Sequence, residues 1–476
     1  MQPPLCWLSY SWQALSARRA GLTAAALSVA LAAACTSLAP APHHSQSSPA
    51  AASTAPAPAF SAELADVRLR EAAFDQAWRI VHERFYDPAF NGVDWEAVRL
   101  RYLPQIERVP TDAAFYALLG RMVGELRDSH TRVYNARDYR NRLDYVVSTF
   151  GLRVAEVDGE VAIVQVLPDT DAARAGLSAG MIIEAVNGEA ARKRLARLRA
   201  DAPADASPER RLRGIYGRLG AGRGSEPLVL DVRDIKGAQG VVRFELKRAE
   251  REVPLVVTRR MLEGNVGYIA FNRFRPEAAA DFGRALGALT DTDGLVLDLR
   301  GNPGGSIGAM LSIAQSFFPE SRHVLTRQAR ASGPATPDGG SWPQARSVPP
   351  EIRIIASPHA YTGPLAILID GYTASSSELL ATVLREQRGA WIVGHPSCGC
   401  VVAVRGTGYR LPGGGALFVA ESGFITPLGN RMEGAGMRPD REVPLTLADL
   451  REGVDRDLAV AKDWIMQRAQ RIAEEH

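Results

Sequence analysis

The segment LAILIDGYTASSSELLATVLRE, Leu365 to Glu386, constrains the fold more than any other stretch of the chain. Its short apolar run reads as a buried strand. A turn at Gly371 follows, and then Leu379, Leu380, Val383 and Leu384 recur at the spacing of one helix face. Similar runs recur around it. VGYIAFNRF, GLVLDLRGNPGGS, GAWIVGHP and ALFVAESGFITP each read as a strand. Strands alternating with helical patterns predict an α/β core, with any catalytic groups at the strand ends.

Three consecutive serines, Ser375 to Ser377, sit at this strand-to-helix turn. Ser375 lies three residues before Glu378, which makes an S-x-x-E capping box. A helix start is also a positive local field that favours an alkoxide or an oxyanion. Upstream, RGNPGGS supplies Gly304 and Gly305, whose missing side chains let a backbone N–H approach a substrate oxygen. The Ser376 N–H is a further oxyanion donor. Capping alone and nucleophilic chemistry both remain open from these residues.

The remainder of the 476 residues divides by composition. Arg18 and Arg19 precede an apolar stretch shorter than the roughly 20 residues that span a bilayer. Residues 1–34 therefore read as a signal peptide ending in LAAAC, which resembles a lipoprotein cleavage site with Cys35 as the lipidated residue. Residues 35–61 are an Ala/Pro/Ser-rich tether. Residues 62–144 form an N-terminal helical segment, with Val67, Leu69, Phe74, Ala77, Trp78 and Val81 on one face. In HERFY, Tyr86 stands where a zinc-protease motif needs its second histidine, so no metal site is expected. Neither is a cofactor. The net charge of +3 is close to balance, which argues against nucleic acid as a partner. Only four of the 56 basic residues are lysines, Lys193, Lys236, Lys247 and Lys462.

Residues 145–257 are β-rich and resemble a PDZ domain, with Phe150, Gly151 and Leu152 of FGLR at the loop that would hold a peptide carboxylate. A charged insertion begins at Arg192. Residues 258–476 are the α/β core. DLRGNPGGS, TASSSE and GAGMRPD, in that order behind the PDZ-like module, resemble the carboxyl-terminal processing (tail-specific) serine proteases over about Leu64 to Leu447. The resemblance implies a ClpP/crotonase-like core and Ser375 as nucleophile. It also implies a lysine base, but Cys400 of GHPSCGC stands at that position, and no lysine occurs between Lys247 and Lys462.

A serine without a base is a poor nucleophile. The tricorn-type branch of the family uses a Ser-His pair, a distant Ser and a Glu, and the resemblance maps these onto Ser129, His130, Ser375 and Glu433. His395 is the rival base. Cys398 and Cys400 are expected as free thiols, because an i, i+2 bridge closes a tight ring. The sequence thus predicts a serine endopeptidase of the bacterial cell envelope, secreted into the periplasm or lipid-anchored there, acting on extended or C-terminal segments of proteins. The membrane is reached only through the lipid anchor. A catalytically degenerate relative that binds peptides or ligands is the other reading.

Overall fold

The computed structural model describes residues 67–202, 207–220, 226–233, 240–330 and 350–475. The predicted signal segment, Cys35 and the tether lie outside the described residues.

The N-terminal segment comprises α1 (Val67–Arg84), α2 (Trp95–Tyr102), α3 (Asp112–Gly124), β1 (Arg132–Tyr134) and α4 (Ala136–Leu143). Phe74, Ala77 and Val81 are buried as their spacing predicts, while Val67 at the helix start is exposed. Thr111 caps α3 by accepting from Ala114 N at 3.2 Å. These helices do not form a separate core. They share one with Val402, Leu411, Leu417 and Val419 from the far end of the chain.

A two-stranded ribbon, β2 (Val146–Thr149) with β9 (Ala249–Glu252), brackets an inserted module. Inside it lie β3 (Leu152–Val157), β4 (Glu160–Val166), α5 (Asp171–Arg174), β5 (Ile182–Val186), β6 (Glu189–Ala190), α6 (Ala191–Ala200), α7 (Pro208–Leu219), β7 (Leu228–Arg233) and β8 (Val241–Leu246). The sheet runs β3-β4-β5-β7-β8, with β6 off β5, so β3 is an edge strand. The charged insertion folds into α6 and α7. Ile215 and Leu219 bury one face of α7 while its arginines keep the other.

The core begins with β10 (Val257–Leu262), β11 (Val266–Phe271), α8 (Pro276–Gly287), β12 (Gly294–Asp298), α9 (Ile307–Gln315), β13 (Arg322–Gln328), β14 (Glu351–Ile354) and β15 (Leu365–Ile369). It continues through α10 (Ser376–Arg388), β16 (Trp391–Gly394), β17 (Ala403–Val404), β18 (Tyr409–Arg410), β19 (Ala416–Phe418), β20 (Ala420–Ile425), β21 (Arg441–Glu442), α11 (Leu447–Glu452) and α12 (Arg456–Glu475). The central sheet has the order β10-β11-β12-β15-β16-β21, parallel except for the first pair. Every residue of β11, β12 and β15 is buried, as strands covered on both faces must be. One face packs on α8, α9 and α10; Ala461 and Ile465 of α12 cover the other.

ALFVAESGFITP, read as one strand, is two. The chain changes sheet at Val419, so that β19 pairs with β1 and β20 with β13. That crossing brings the N-terminal segment to the mouth of the core. The C-terminal ends of β12, β15 and β16 then open into three adjacent loops.

Candidate active site

The loops after β12 and β15 are fastened together. Asp370 Oδ1 accepts from the N–H of Gly301 at 2.9 Å, Tyr372 at 3.0 Å and Thr373 at 2.9 Å. Asn302, fully buried, receives the Ala374 N–H at its carbonyl and donates its side-chain amide to Phe271 O. Ser377 Oγ donates to Asn302 O at 3.0 Å, and Ser376 Oγ to Gly305 O at 2.9 Å. Two of the three serines therefore spend their hydroxyls on the neighbouring loop. Ser375 is the one that lines the cleft.

Ser375 has φ 57° and ψ −121°, a sparsely populated conformation for a residue with a side chain. Such a state costs about 1–3 kcal/mol and concentrates at functional sites. Capping-box geometry holds it, with the Ser375 N–H donated to Glu378 Oε2 at 3.0 Å. Capping and presentation into the cleft are thus properties of one turn, not competing readings of it. Among the described residues, no acceptor takes the N–H of Ser376 or of Gly305. Both remain available to an oxyanion. The Gly304 N–H differs from expectation, because Asn302 Oδ1 already accepts it at 2.9 Å. Gly304 contributes closeness instead. A Cβ there would stand 2.7 Å from Ala374 O and 2.9 Å from Ser376 N, at φ 93°. We expect Gly304→Ala to lower kcat about 10²-fold or more by displacing the Ser376 N–H. Peptide hydrolysis measured beside far-UV circular dichroism separates this from unfolding.

Across the cleft lies Ser129-His130. Asp128 Oδ1 accepts from the N–H of His130 at 2.7 Å and of Thr131 at 2.6 Å, which fixes the turn after α3. Glu433 Oε1 accepts from Ser129 N at 2.9 Å; its Oε2 accepts from Ser129 Oγ at 2.9 Å and from Val401 N at 2.6 Å. Ser129 Oγ also lies 2.6 Å from His130 Nδ1. Since the hydroxyl gives its proton to Glu433, it accepts from Nδ1–H, which leaves the Nε2 lone pair free. Burial pushes the Glu433 carboxyl above its ordinary range, against the lowering effect of the bonds from Val401 and Ser129. Burial first, then the guanidinium groups of Arg132, Arg142, Arg213 and Arg210, pushes His130 down to about 3. The imidazole is neutral throughout the working pH range. His130 and Ser375 line the same cleft, of about 2210 Å³. Among the described residues no hydrogen bond joins them. His395 is not part of the lining; its N–H bonds Ile369 O just past the end of β16.

Cys398 and Cys400 are joined in a disulfide, contrary to the expectation of free thiols. Gly399 at φ 69° turns the chain so that the two Cα atoms lie 5.2 Å apart. Fully buried Glu378 secures the turn by accepting from Ser397 Oγ at 2.5 Å, Gly399 N at 2.7 Å and Cys400 N at 3.0 Å. The inserted module reaches the same turn. Ser207 Oγ donates to Cys398 O at 2.5 Å, and Arg213 Nη2 lies 3.8 Å from Cys400 Sγ. The local S-x-x-E spacing made Glu378 visible in the sequence, but only as a cap. Arg213 lies in the insertion, where no pattern marks it. Denatured, unreduced protein should resist alkylation by iodoacetamide at both cysteines; modification there without reductant would contradict the bond.

The FGLR residues depart from their expected role. The Phe150 ring is buried in the module's own core. The Gly151 N–H is donated to Thr149 Oγ1 at 2.9 Å, and Leu152 pairs with Val166. A Cβ on Gly151 would collide with Thr170, so the glycine answers to packing.

Residues 265–443 match peptidase family S41, and residues 68–124 match the tricorn protease C1 domain. The chain is 27% identical over 384 residues to a carboxyl-terminal-processing protease of Picosynechococcus sp., covering 78% of this chain and 82% of that one. It is 26% identical over 408 residues to a tricorn protease homolog of Streptomyces coelicolor, 80% of this chain but 31% of that longer protein. The crystal structure of mature CPAF superposes with a TM-score of 0.61 at 13% identity, covering 86% of this chain and 97% of the other, a likeness of fold. With a region matching peptidase family S41 that contains both the RGNPGGS and TASSSE loops, the chain is a serine-type peptidase similar to the carboxyl-terminal-processing proteases.

Proposed function

We propose that this protein is an endopeptidase in which Ser375 attacks the peptide carbonyl and His130, oriented through Ser129 by Glu433, takes its proton. One observation carries the reading: the bonded chain Glu433–Ser129–His130 occupies Nδ1 and leaves Nε2 unbonded on a histidine that lines the same cleft as Ser375. The Ser–His–carboxylate logic is served with a hydroxyl relay between acid and imidazole. The Ser376 and Gly305 N–H groups face the oxyanion. The Ser375–His130 contact forms as substrate closes the cleft, a tightening common to catalytic hydrogen bonds. Cys400, in place of a lysine, belongs to the wall that positions Glu378 and Val401.

Extended peptides dock along the inserted module, whose edge strand β3 has only β4 as a strand neighbour; this supports the PDZ-like reading. The ClpP/crotonase-like description of the core rests on the layered parallel sheet with its site at the strand ends. The predicted signal and Cys35 place the enzyme in the bacterial cell envelope on a lipid anchor, which metabolic labelling with a fatty acid tests, Cys35→Ser being the control.

The pH profile tests the base. Glu433 carries a raised value, so its carboxylate form is lost first as pH falls, while His130 stays neutral down to about 3. Activity in kcat/KM should decline on the acid side as the Glu433 carboxylate takes up a proton, and that acid limb should be lost in Glu433→Gln, whose amide does not titrate. A neutral-range titration that persists in Glu433→Gln would contradict this arrangement.

A further inference from the structure

We propose that the cleft selects substrates carrying an acidic side chain beside the scissile bond, recognised by Arg142, Arg153 and Arg273. This rests on the peptidase reading and extends it to a substrate class.

All three arginines line the cleft with Ser375 and His130. Arg142, on α4, contributes to the positive field that lowers His130. Arg153, on β3 of the inserted module, lies over the ring of Tyr372, three residues before Ser375. Arg273 precedes Phe274, whose N–H and carbonyl pair with Gly304 O and Ser306 N around Gly305.

Aromatic faces hold these guanidinium groups. Arg142 stands 4.4 Å from the Phe418 ring centroid, Arg153 4.2 Å from Tyr372 and Arg273 3.9 Å from Tyr145. Among the described residues, none of the three forms an ion pair with a carboxylate. Arg273 is buried, yet its Nε has no hydrogen-bond partner and its Nη2 is satisfied only by Val253 O. Stacking fixes a guanidinium plane while leaving its edge donors open, and that edge matches a carboxylate. Three of the acids that line the cleft are committed elsewhere. Asp370 is taken up by backbone N–H groups, and Asp298 and Asp455 are paired with Arg300. Three guanidinium groups without a carboxylate partner among the described residues therefore line the cleft of Ser375 and offer their edges to a negative ligand, and in a peptidase that ligand is the substrate.

The test uses matched internally quenched peptides with amidated C-termini, differing only in Asp or Glu against Asn or Gln at residues flanking the cleaved bond. A second pair is neutral and differs in a free or amidated C-terminus. We expect the acidic peptides to show about tenfold or greater kcat/KM, an advantage that shrinks with added salt. Arg142→Gln and Arg153→Gln should each reduce the acidic-to-neutral ratio, and Arg142→Lys and Arg153→Lys should restore part of it. Reading the ratio removes any effect on folding. Equal rates for acidic and amide peptides, or a preference that survives both Gln variants, would overturn the proposal. So would a preference confined to the free C-terminus. Cleavage that persists in Ser375→Ala would instead overturn the peptidase assignment of this site, whatever the ratio.

Discussion

Ser375→Ala should abolish peptide hydrolysis, lowering kcat by on the order of 10⁴–10⁶-fold, as removal of a nucleophile does when the other groups remain. Stability should fall by no more than about 1 kcal/mol. The variant keeps the Glu378 bond to the backbone N–H at residue 375, and it loses the hydroxyl that lines the cleft and completes the other half of the capping box. Ser376→Ala and Ser377→Ala are the informative controls. Each deletes a hydroxyl that fastens the two loops, to Gly305 O and Asn302 O. Each should cost about 1–2 kcal/mol in denaturant unfolding and lower kcat far less than Ser375→Ala. Equal losses of activity at all three positions would mean that the serines serve the turn and not the reaction.

His130→Ala should lower kcat by on the order of 10³–10⁶-fold with a smaller change in KM, since the imidazole acts in the transition state. Glu433→Gln should fall between wild type and that variant. The amide still accepts one bond but gives Ser129 no anion, so Nδ1–H is held less firmly. Ser129→Ala breaks the same relay at its middle and should resemble Glu433→Gln. His395→Ala should retain most activity, because His395 is not among the residues that line the cleft. The broken lysine position offers a converse test. Cys400→Lys in the His130→Ala background puts an amine where the related proteases carry their base, but it also removes the disulfide and buries a charge beside Arg213. We expect no rescue. If that double variant were active and the wild-type protein inert, the natural chain would be a degenerate binder.

The α/β core and the strand-to-helix turn at Ser375 were legible in the sequence because both are local. LAILID, GLVLDL and the Leu379–Leu384 face carry their periodicity within a few residues, and the TASSSE string sets its own cap. Ser129, His130 and Glu433 were reached only through the order of motifs in a resembled family. Nothing in their spacing, 304 residues between Ser129 and Glu433, reveals a contact. Crossing from β19 to β20 is what brings the N-terminal segment to the core, and an unbroken apolar run concealed it. The disulfide was misjudged because ring size in the abstract argued against it. The pattern does not show that Gly399 adopts a left-handed turn under three bonds to Glu378. FGLR misled in the other direction. Its hydrophobic and glycine positions serve the module's packing, with the Gly151 N–H already satisfied. Arg142, Arg153 and Arg273 were invisible among 52 arginines until the aromatic faces beneath three of them came into view.

Covalent labelling with a serine-reactive fluorophosphonate, followed by mass spectrometry of the modified peptide, tests the central claim most directly. The reaction needs an activated hydroxyl and a base but no knowledge of the natural substrate. Wild-type protein should be modified at Ser375, at a rate that falls by orders of magnitude in His130→Ala and by less in Glu433→Gln. Modification at any other residue, or an unchanged rate at Ser375 without the imidazole, would contradict the assignment of His130 as its base.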